Sequence, residues 1–188
     1  MNDQALIKGC IADDRRSQNA LYKKYFPLMS SIAIRYTGNH EEAIYKLNHG
    51  FLKVLQNLDK YDHQFALATF IRNILINHLI DEFRKERKYL TTIQLSNYEE
   101  TDAGFVFNLG EAQLEADELL QMLNCLPEVT KKVFNLFAID GYKHTEIGDL
   151  LGISAGTSKW HVSEARKQLK ELLEKRNNQE KKRSELAQ

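Results

Sequence analysis

Apolar residues return at helical intervals along most of the chain. Leu21, Tyr25, Leu28, Ile32 and Tyr36 are three or four places apart, which puts them on one face of a helix. Pro27 interrupts the run and predicts two short helices or one kinked helix, and Thr37-Gly38-Asn39-His40 predicts a stop and turn. Ala43, Leu47, Phe51, Val54 and Leu58 form a second one-sided stripe, residues 60–64 read as a polar loop, and a third helix is predicted over 67–88. The period then lapses among Thr, Asn, Ser and Gly. Helices return over 112–124, over 128–139 after Pro127, over 144–151 and over 155–175, and the charged end is expected to fray.

No stretch alternates in the manner of a strand, and nine Gly and two Pro leave few places to break helices. The expected fold class is therefore all-α, with two small helical domains joined by a linker. An N-terminal helical bundle occupies 1–90, a linker 91–116, a C-terminal helix-turn-helix domain 117–175 and a charged tail 176–188. A hydrophobic content of 43% is enough for a core in each half.

Net charge is zero, but the charges are unevenly placed. Residues 1–90 hold 14 Lys and Arg against 10 Asp and Glu, residues 91–118 hold none against 7, and residues 119–188 hold 12 against 9. Two mildly basic blocks flank an acidic connector, a layout that suits two nucleic-acid-binding modules. No apolar run approaches the ~20 residues of a membrane span. The opening MNDQALIKGC lacks a basic-then-apolar signal pattern, so a cytoplasmic location is expected. Cys10 and Cys125 are too far apart to form a local metal-ligand pair and read as buried or idle thiols.

The most informative stretch is HTEIGDLLGISAGTSKWHVSEARKQLKEL, from His144. Ile147, Leu150 and Leu151 give a short helix an apolar face, and Gly152 stands where a helix end favours a left-handed residue. Ile153 plugs the corner, and Ser154 offers an N-cap oxygen with Thr157 three places on. The following helix is expected to bury Val162, Ala165 and Leu169 and to present Ser158, Lys159, His161 and Arg166. This is the geometry that lays a recognition helix in the major groove. Short polar groups at its start reach base edges, while Lys159, Arg166, Lys167 and Lys170 neutralise phosphates. Trp160 is expected to cover the domain core, with stacking on the DNA backbone as the alternative.

Several pieces of the C-terminal half resemble region four of bacterial sigma factors: Leu126-Pro127-Glu128, Val133-Phe134, Gly141, Glu146-Ile147, Leu151-Gly152-Ile153-Ser154, Gly156-Thr157, Lys159 and Ala165-Arg166. In the N-terminal half LYKKYFP, RYTGN followed by EEA, FLKVLQNLDKYD and FIRNILINHLIDEFRK resemble region two of the extracytoplasmic-function (ECF) class. Both regions occur in the order of that class with only a short linker between them. The resemblance implies a transcription initiation factor that binds core RNA polymerase and promoter DNA, and an anti-sigma factor that restrains it. It implies that Ser154, Thr157, Ser158, Lys159, His161, Arg166 and Lys167 contact the upstream element. Tyr61, Phe65, Phe70, Arg72, Asn73, Asn77, Arg84 and Lys88 would open and hold the downstream element, and Leu47, Asn48, Phe51 and Leu52 would grip the polymerase. The acidic linker would thread toward a basic cleft.

The residues of the third helix agree with that assignment. Asn73, Asn77, Asp81, Arg84 and Lys88 share one stripe, opposite Ile71, Leu75, Leu79 and Phe83, and amides with basic groups and aromatics suit unpaired bases. The plainer reading of the stripe is a solvated face with Asp81–Arg84 or Asp81–Lys85 ion pairs. The sequence departs from the family pattern in three places. Tyr45, Asn48 and His49 replace an acidic residue and a Gln-Glu pair, Phe70 replaces a tryptophan, and Glu164 stands where a basic residue is frequent.

The alternative reading is a helix-turn-helix regulator or a sigma-like antagonist that does not itself initiate transcription. The FIRNILINHLIDEFRK helix argues against a plain operator binder. An enzyme finds little support. There is no phosphate-cradling glycine loop, no His/Cys/carboxylate set at metal spacing and no nucleophile elbow, so neither cofactor nor metal is expected.

Overall fold

The computed structural model describes residues 2–93 and 114–186, with side chains for 2–89 and 118–178. Every described regular element is helical, as the pattern predicts. The chain separates into two compact units, the first ending with the long fourth helix. Of the expected linker 91–116, residues 94–113 lie outside the described residues; 91–93 continue one helix and 114–116 begin the next. Among the described residues no helix is long and apolar enough to cross a membrane.

The N-terminal unit holds α1 (Asp3–Ile11), α2 (Arg15–Thr37), α3 (His40–Gln56) and α4 (Leu67–Ile93), with a single 3-10 turn at Leu58–Lys60. Side-chain oxygens of Asn2, Asp14 and Asn39 cap the first three helices by accepting from free N–H groups of the first turn. Gly38, at φ 77°, ends α2 in the left-handed conformation expected of the Gly-Asn turn. Pro27 does not divide α2, which runs unbroken through it; Leu21 and Tyr25 before it and Met29 and Ile32 after it are buried together. That shared burial outweighs the backbone bond proline forgoes. α1 precedes the first element legible in the sequence and buries Leu6, Ile7 and Cys10. It is tied to α2 by Lys24 Nζ on Asp3 Oδ1 at 2.6 Å and by Tyr25 donating to Asp3 Oδ2 at 3.0 Å.

The core of this unit is made by the stripes read from the sequence. Leu47 and Val54 of α3 and Ile71, Leu75, Ile76 and Ile80 of α4 are fully enclosed. Gly50 lets the two helices approach, since a β-carbon there would come within 2.5 Å of Leu75 Cδ1. Lys46 is buried between α3 and α4 and bonds to Glu42 at 2.7 Å and to Glu86 at 2.9 Å.

The C-terminal unit holds α5 (Leu114–Asn124), α6 (Glu128–Phe134), a π-helical turn at Asn135–Ile139, α7 (His144–Leu151) and α8 (Ala155–Leu186). Leu123, Leu126 and Ala165 form its centre, with Phe134 and Leu169 packed against them. The helix expected over 128–139 widens at residue 135, where the N–H of Asp140 reaches back five residues to the carbonyl of Asn135. Of the charged tail 176–188, residues 176–186 continue α8 to Leu186, and 187–188 lie outside the described residues. From Lys159 on the helix has neither glycine nor proline, and Arg176 ties it to Glu118 of α5 at 2.5 Å.

Candidate nucleic-acid and polymerase interfaces

In the C-terminal unit the recognition helix is set by a turn with little slack. Gly152, at φ 68°, ends α7, and both its N–H and that of Ile153 donate to the carbonyl of Gly148, at 2.8 and 3.1 Å. Ser154 then caps α8, accepting from the Thr157 N–H at 2.9 Å, while its hydroxyl meets the Thr157 hydroxyl at 2.8 Å. Helical phase does the rest. Ser158, Val162 and Ala165 are buried, and Lys159, Ser163, Arg166, Lys167 and Lys170 are exposed. Arg166 is steadied by lying 6.0 Å over the Phe137 ring.

Three expectations for this helix are corrected. Ser158 does not face outward: it is wholly buried, with Oγ 3.0 Å from His144 Nδ1, and His144 in turn stacks on Phe137 at 4.3 Å. His161 is half-buried, and its Nδ1 lies 2.9 Å from the Thr130 hydroxyl, so it anchors α8 to α6. Trp160 does not cover the core but is 59% exposed. The signal that finds it is angular. Two places beyond the buried Ser158 on a helix is a turn of about 200°, which points away from the core. Glu164, half-buried, accepts from Gln168 at 2.8 Å.

In the N-terminal unit α4 carries the expected two-faced pattern. Asn73, Asn77, Asp81, Arg84 and Lys88 are exposed, and Ile71, Leu75, Leu79 and Phe83 are buried. Lys85 pairs with Glu82, at 2.9 Å, rather than with Asp81. The loop before α4 is organised by Tyr61, whose hydroxyl donates to the Phe65 carbonyl. Its ring meets Phe70 edge-on at 5.2 Å and His63 at 4.9 Å. Phe65 projects into solvent, while Phe70 and Arg72 are half-buried. Beside this aromatic cluster an open groove of about 250 Å³ runs between the end of α3 and α4. Lys53, Asn57 and Lys60 line one side; Phe70, Asn77 and His78 line the other. Nothing in the sequence pattern marks His78, which stands among the apolar residues of α4. It is buried with neither ring nitrogen hydrogen-bonded, and burial first, then the nearby Lys53, holds its pKa below the ordinary histidine value.

The side chains expected to grip the polymerase divide in two. Leu47 is fully enclosed and Phe51 is buried against the Tyr22 ring at 5.0 Å, so both belong to the core of the bundle. Leu52, at 55% exposure, and Asn48 face outward, and Asn48 accepts from the Tyr22 hydroxyl at 2.9 Å. Tyr45, 62% exposed, and His49 join them, with ring centres 4.5 Å apart. The three residues of α3 that depart from the family pattern, Tyr45, Asn48 and His49, thus all lie on its outward face, beside Leu52.

Residues 21–89 match the family described as Sigma-70 region 2, and residues 116–169 match Sigma-70, region 4. The chain belongs to the sigma-70 family, in its ECF class. Among its relatives are the ECF RNA polymerase sigma factor EcfG of Rhodopseudomonas palustris, 26% identical over 78% of this chain and 80% of that protein, and SigW of Bacillus subtilis, 28% identical over 76% and 81%. The sigma factor RpoE from Bartonella quintana, solved with the anti-sigma factor NepR, shares the fold with a TM-score of 0.53 at 22% identity, over 83% of this chain and 96% of that one. In this sigma factor the region 2 match spans α2, α3 and α4, and the region 4 match ends within α8. α1 thus lies outside both matches, although its residues belong to the N-terminal core. Sigma-70 factors are non-catalytic transcription factors, and among the described residues no three His, Cys, Asp or Glu gather as a metal site.

Proposed function

We propose that this sigma factor binds core RNA polymerase and brings it to promoters of two parts. The C-terminal unit lays α8 in the major groove of the upstream element. Ser154 and Thr157 sit at the helix start, and Lys159, Arg166 and Lys167 lie along the phosphates. The N-terminal unit holds the opened downstream strand on Asn73, Asn77, Arg84 and Lys88 of α4. The rings of Phe65 and Phe70 serve as stacking surfaces, and the groove beside His78 receives an unpaired base. Asn48, Leu52, Tyr45 and His49 form the face offered to the polymerase. The protein carries out no catalytic step of its own and works in the cytoplasm, where the polymerase is. An anti-sigma factor, the kind of partner seen with the Bartonella quintana relative, is its proposed antagonist.

The single observation that carries this reading is the presence of both regions, in the family's order, in one chain. Run-off transcription with core polymerase tests it, with and without this protein, on a library of promoter fragments. Start sites that depend on the protein are expected; failure to stimulate any, together with failure to bind core, would end the reading. Binding of core without initiation would favour the antagonist instead. A sharper variant is Lys159→Ala with Arg166→Ala. Loss of two phosphate contacts should reduce the slope of log affinity against log salt by roughly 2 and leave core binding intact.

A further inference from the structure

The exposure of Trp160 has a consequence for promoter choice. On α8 the buried Ser158, Val162 and Ala165 define the inward direction. At about 100° per residue Trp160 stands almost diametrically opposite, on the crest of the outward face. Helical side chains lean toward the N-terminus, over the residue four places earlier. That residue is Gly156, exposed and without a side chain. A β-carbon at Gly156 would meet nothing of the indole within 4 Å, and the indole, 59% exposed, has its ring centre 4.9 Å from that of His161 with the two planes at 71°. Lys159 and Ser163 lie to one side of it and Lys167 nearly in line with it two turns on, all exposed. At that spacing Lys159, Arg166 and Lys170 all fall on one flank of Trp160, so phosphate contacts along that flank seat the outward crest in the groove.

We propose that Trp160 reads a thymine methyl group on the floor of the major groove of the upstream element, and so sets the sequence preference of this sigma factor. The inference rests on the proposed docking of α8. Of the four bases only thymine offers an apolar group in the major groove, and a broad, rigid ring covers it at little entropic cost. Lysine and arginine on this helix secure affinity for any duplex; Trp160 is the large apolar side chain on its outward crest and distinguishes one site from another.

The test uses the holoenzyme. An upstream element is first selected from a randomised pool by wild-type protein with core polymerase. Each thymine of the selected element is then replaced by deoxyuridine, which removes only the methyl. At one position the wild-type protein should lose about four-fold in affinity, the value of one buried methyl group. Trp160→Ala should bind the parent element about ten-fold more weakly and show no penalty at that position, with Trp160→Phe between the two. Trp160→Ala unfolding at the wild-type temperature establishes that the loss is one of contact. Wild-type protein that shows no deoxyuridine penalty, or Trp160→Ala that selects the same element with the same affinity, would overturn the inference and leave the docking of α8 intact. A wild-type holoenzyme that selects no upstream element would overturn both.

Discussion

Replacement of Gly148 by alanine sets two known effects against each other and decides whether the turn before α8 is as tight as its geometry states. Alanine in place of a helical glycine ordinarily stabilises by about 0.8–1.0 kcal/mol. At Gly148 the new β-carbon would stand 2.7 Å from the carbonyl oxygen of Ile153, where 3.0 Å is already an approach real β-carbons do not make. The obstacle is backbone, so no rotamer relieves it. The carbonyl of Gly148 also holds the N–H groups of Gly152 and Ile153, and a displaced loop strains both bonds. Overpacking of this kind costs about 1–3 kcal/mol, and a rigid backbone neighbour places it in the upper half of that range. The net expectation is a loss of about 1–2 kcal/mol. Trp160 is the sole tryptophan and lies in α8, so its fluorescence follows unfolding of the C-terminal unit in urea. With a slope of about 1 kcal/mol per molar for a small unit, the midpoint should fall by about 1–2 M. Gly156→Ala supplies the opposite sign. Its β-carbon meets only the Ser154 hydroxyl, at 3.5 Å, and a gain of about 0.5 kcal/mol is expected. A Gly148→Ala protein as stable as the wild type, or more so, would refute the reasoning.

Three further outcomes are expected. His78→Leu should raise the stability of the N-terminal unit by about 1 kcal/mol, because it removes a buried imidazole that makes no hydrogen bond. The histidine is held below its ordinary value of 6.5 by burial, then by Lys53 and His49 of α3 and Lys85 of α4, against Glu82 of α4. Its unfolded form thus takes up a proton first, so stability present above pH 6.5 declines as pH falls through the depressed value. Thermal unfolding between pH 5 and 8 should show this slope in the wild type and a flatter one in His78→Leu. Lys46→Ala should cost about 1–2 kcal/mol by chemical denaturation, since the buried ammonium links Glu42 of α3 to Glu86 of α4. Leu52→Gln should weaken core-polymerase binding about ten-fold in a pull-down titration with no change in melting temperature, because the side chain is exposed in the free protein.

What the sequence made legible follows the strength of its periodicity. α3 and α4 were readable because their apolar stripes are regular and a polar loop separates them, and the turn from α7 to α8 was readable because Gly152 and Ser154 are specific to a stop and a start. α1 was missed because nine residues with only Leu6, Ile7 and Cys10 buried show barely one repeat of the period. The site errors have a common cause. Neighbouring helical positions differ by about 100°, so a contact surface read as a block of adjacent residues mixes faces. Such a block sets Ser158 outward beside Lys159 and joins Leu47 and Phe51 to Asn48 and Leu52, and hydrophobicity without helical phase sends Trp160 inward. On α8 the expected burial of Val162 and Ala165 already sets the direction of both Ser158 and Trp160.

The corrected face of α3 changes the physical character expected of the polymerase contact. With Leu47 and Phe51 in the core, the middle of the outward face is made by Glu41, Tyr45, Asn48, His49 and Leu52, and the amide of Asn48 is already engaged by Tyr22. A single carboxylate, two touching rings and a leucine gain little from long-range attraction to a basic partner. They gain from excluded water and from cations seated over ring faces, terms that salt screens weakly. The contact proposed for α8 is the reverse: lysines and an arginine beside phosphates, where affinity arises from released counterions and falls steeply with salt. Rising ionic strength should therefore strip this sigma factor from DNA well before it strips it from the polymerase. In the proposed contact, Tyr45, Asn48 and His49 in place of the family's acidic and Gln-Glu positions exchange charge attraction for ring and apolar contact.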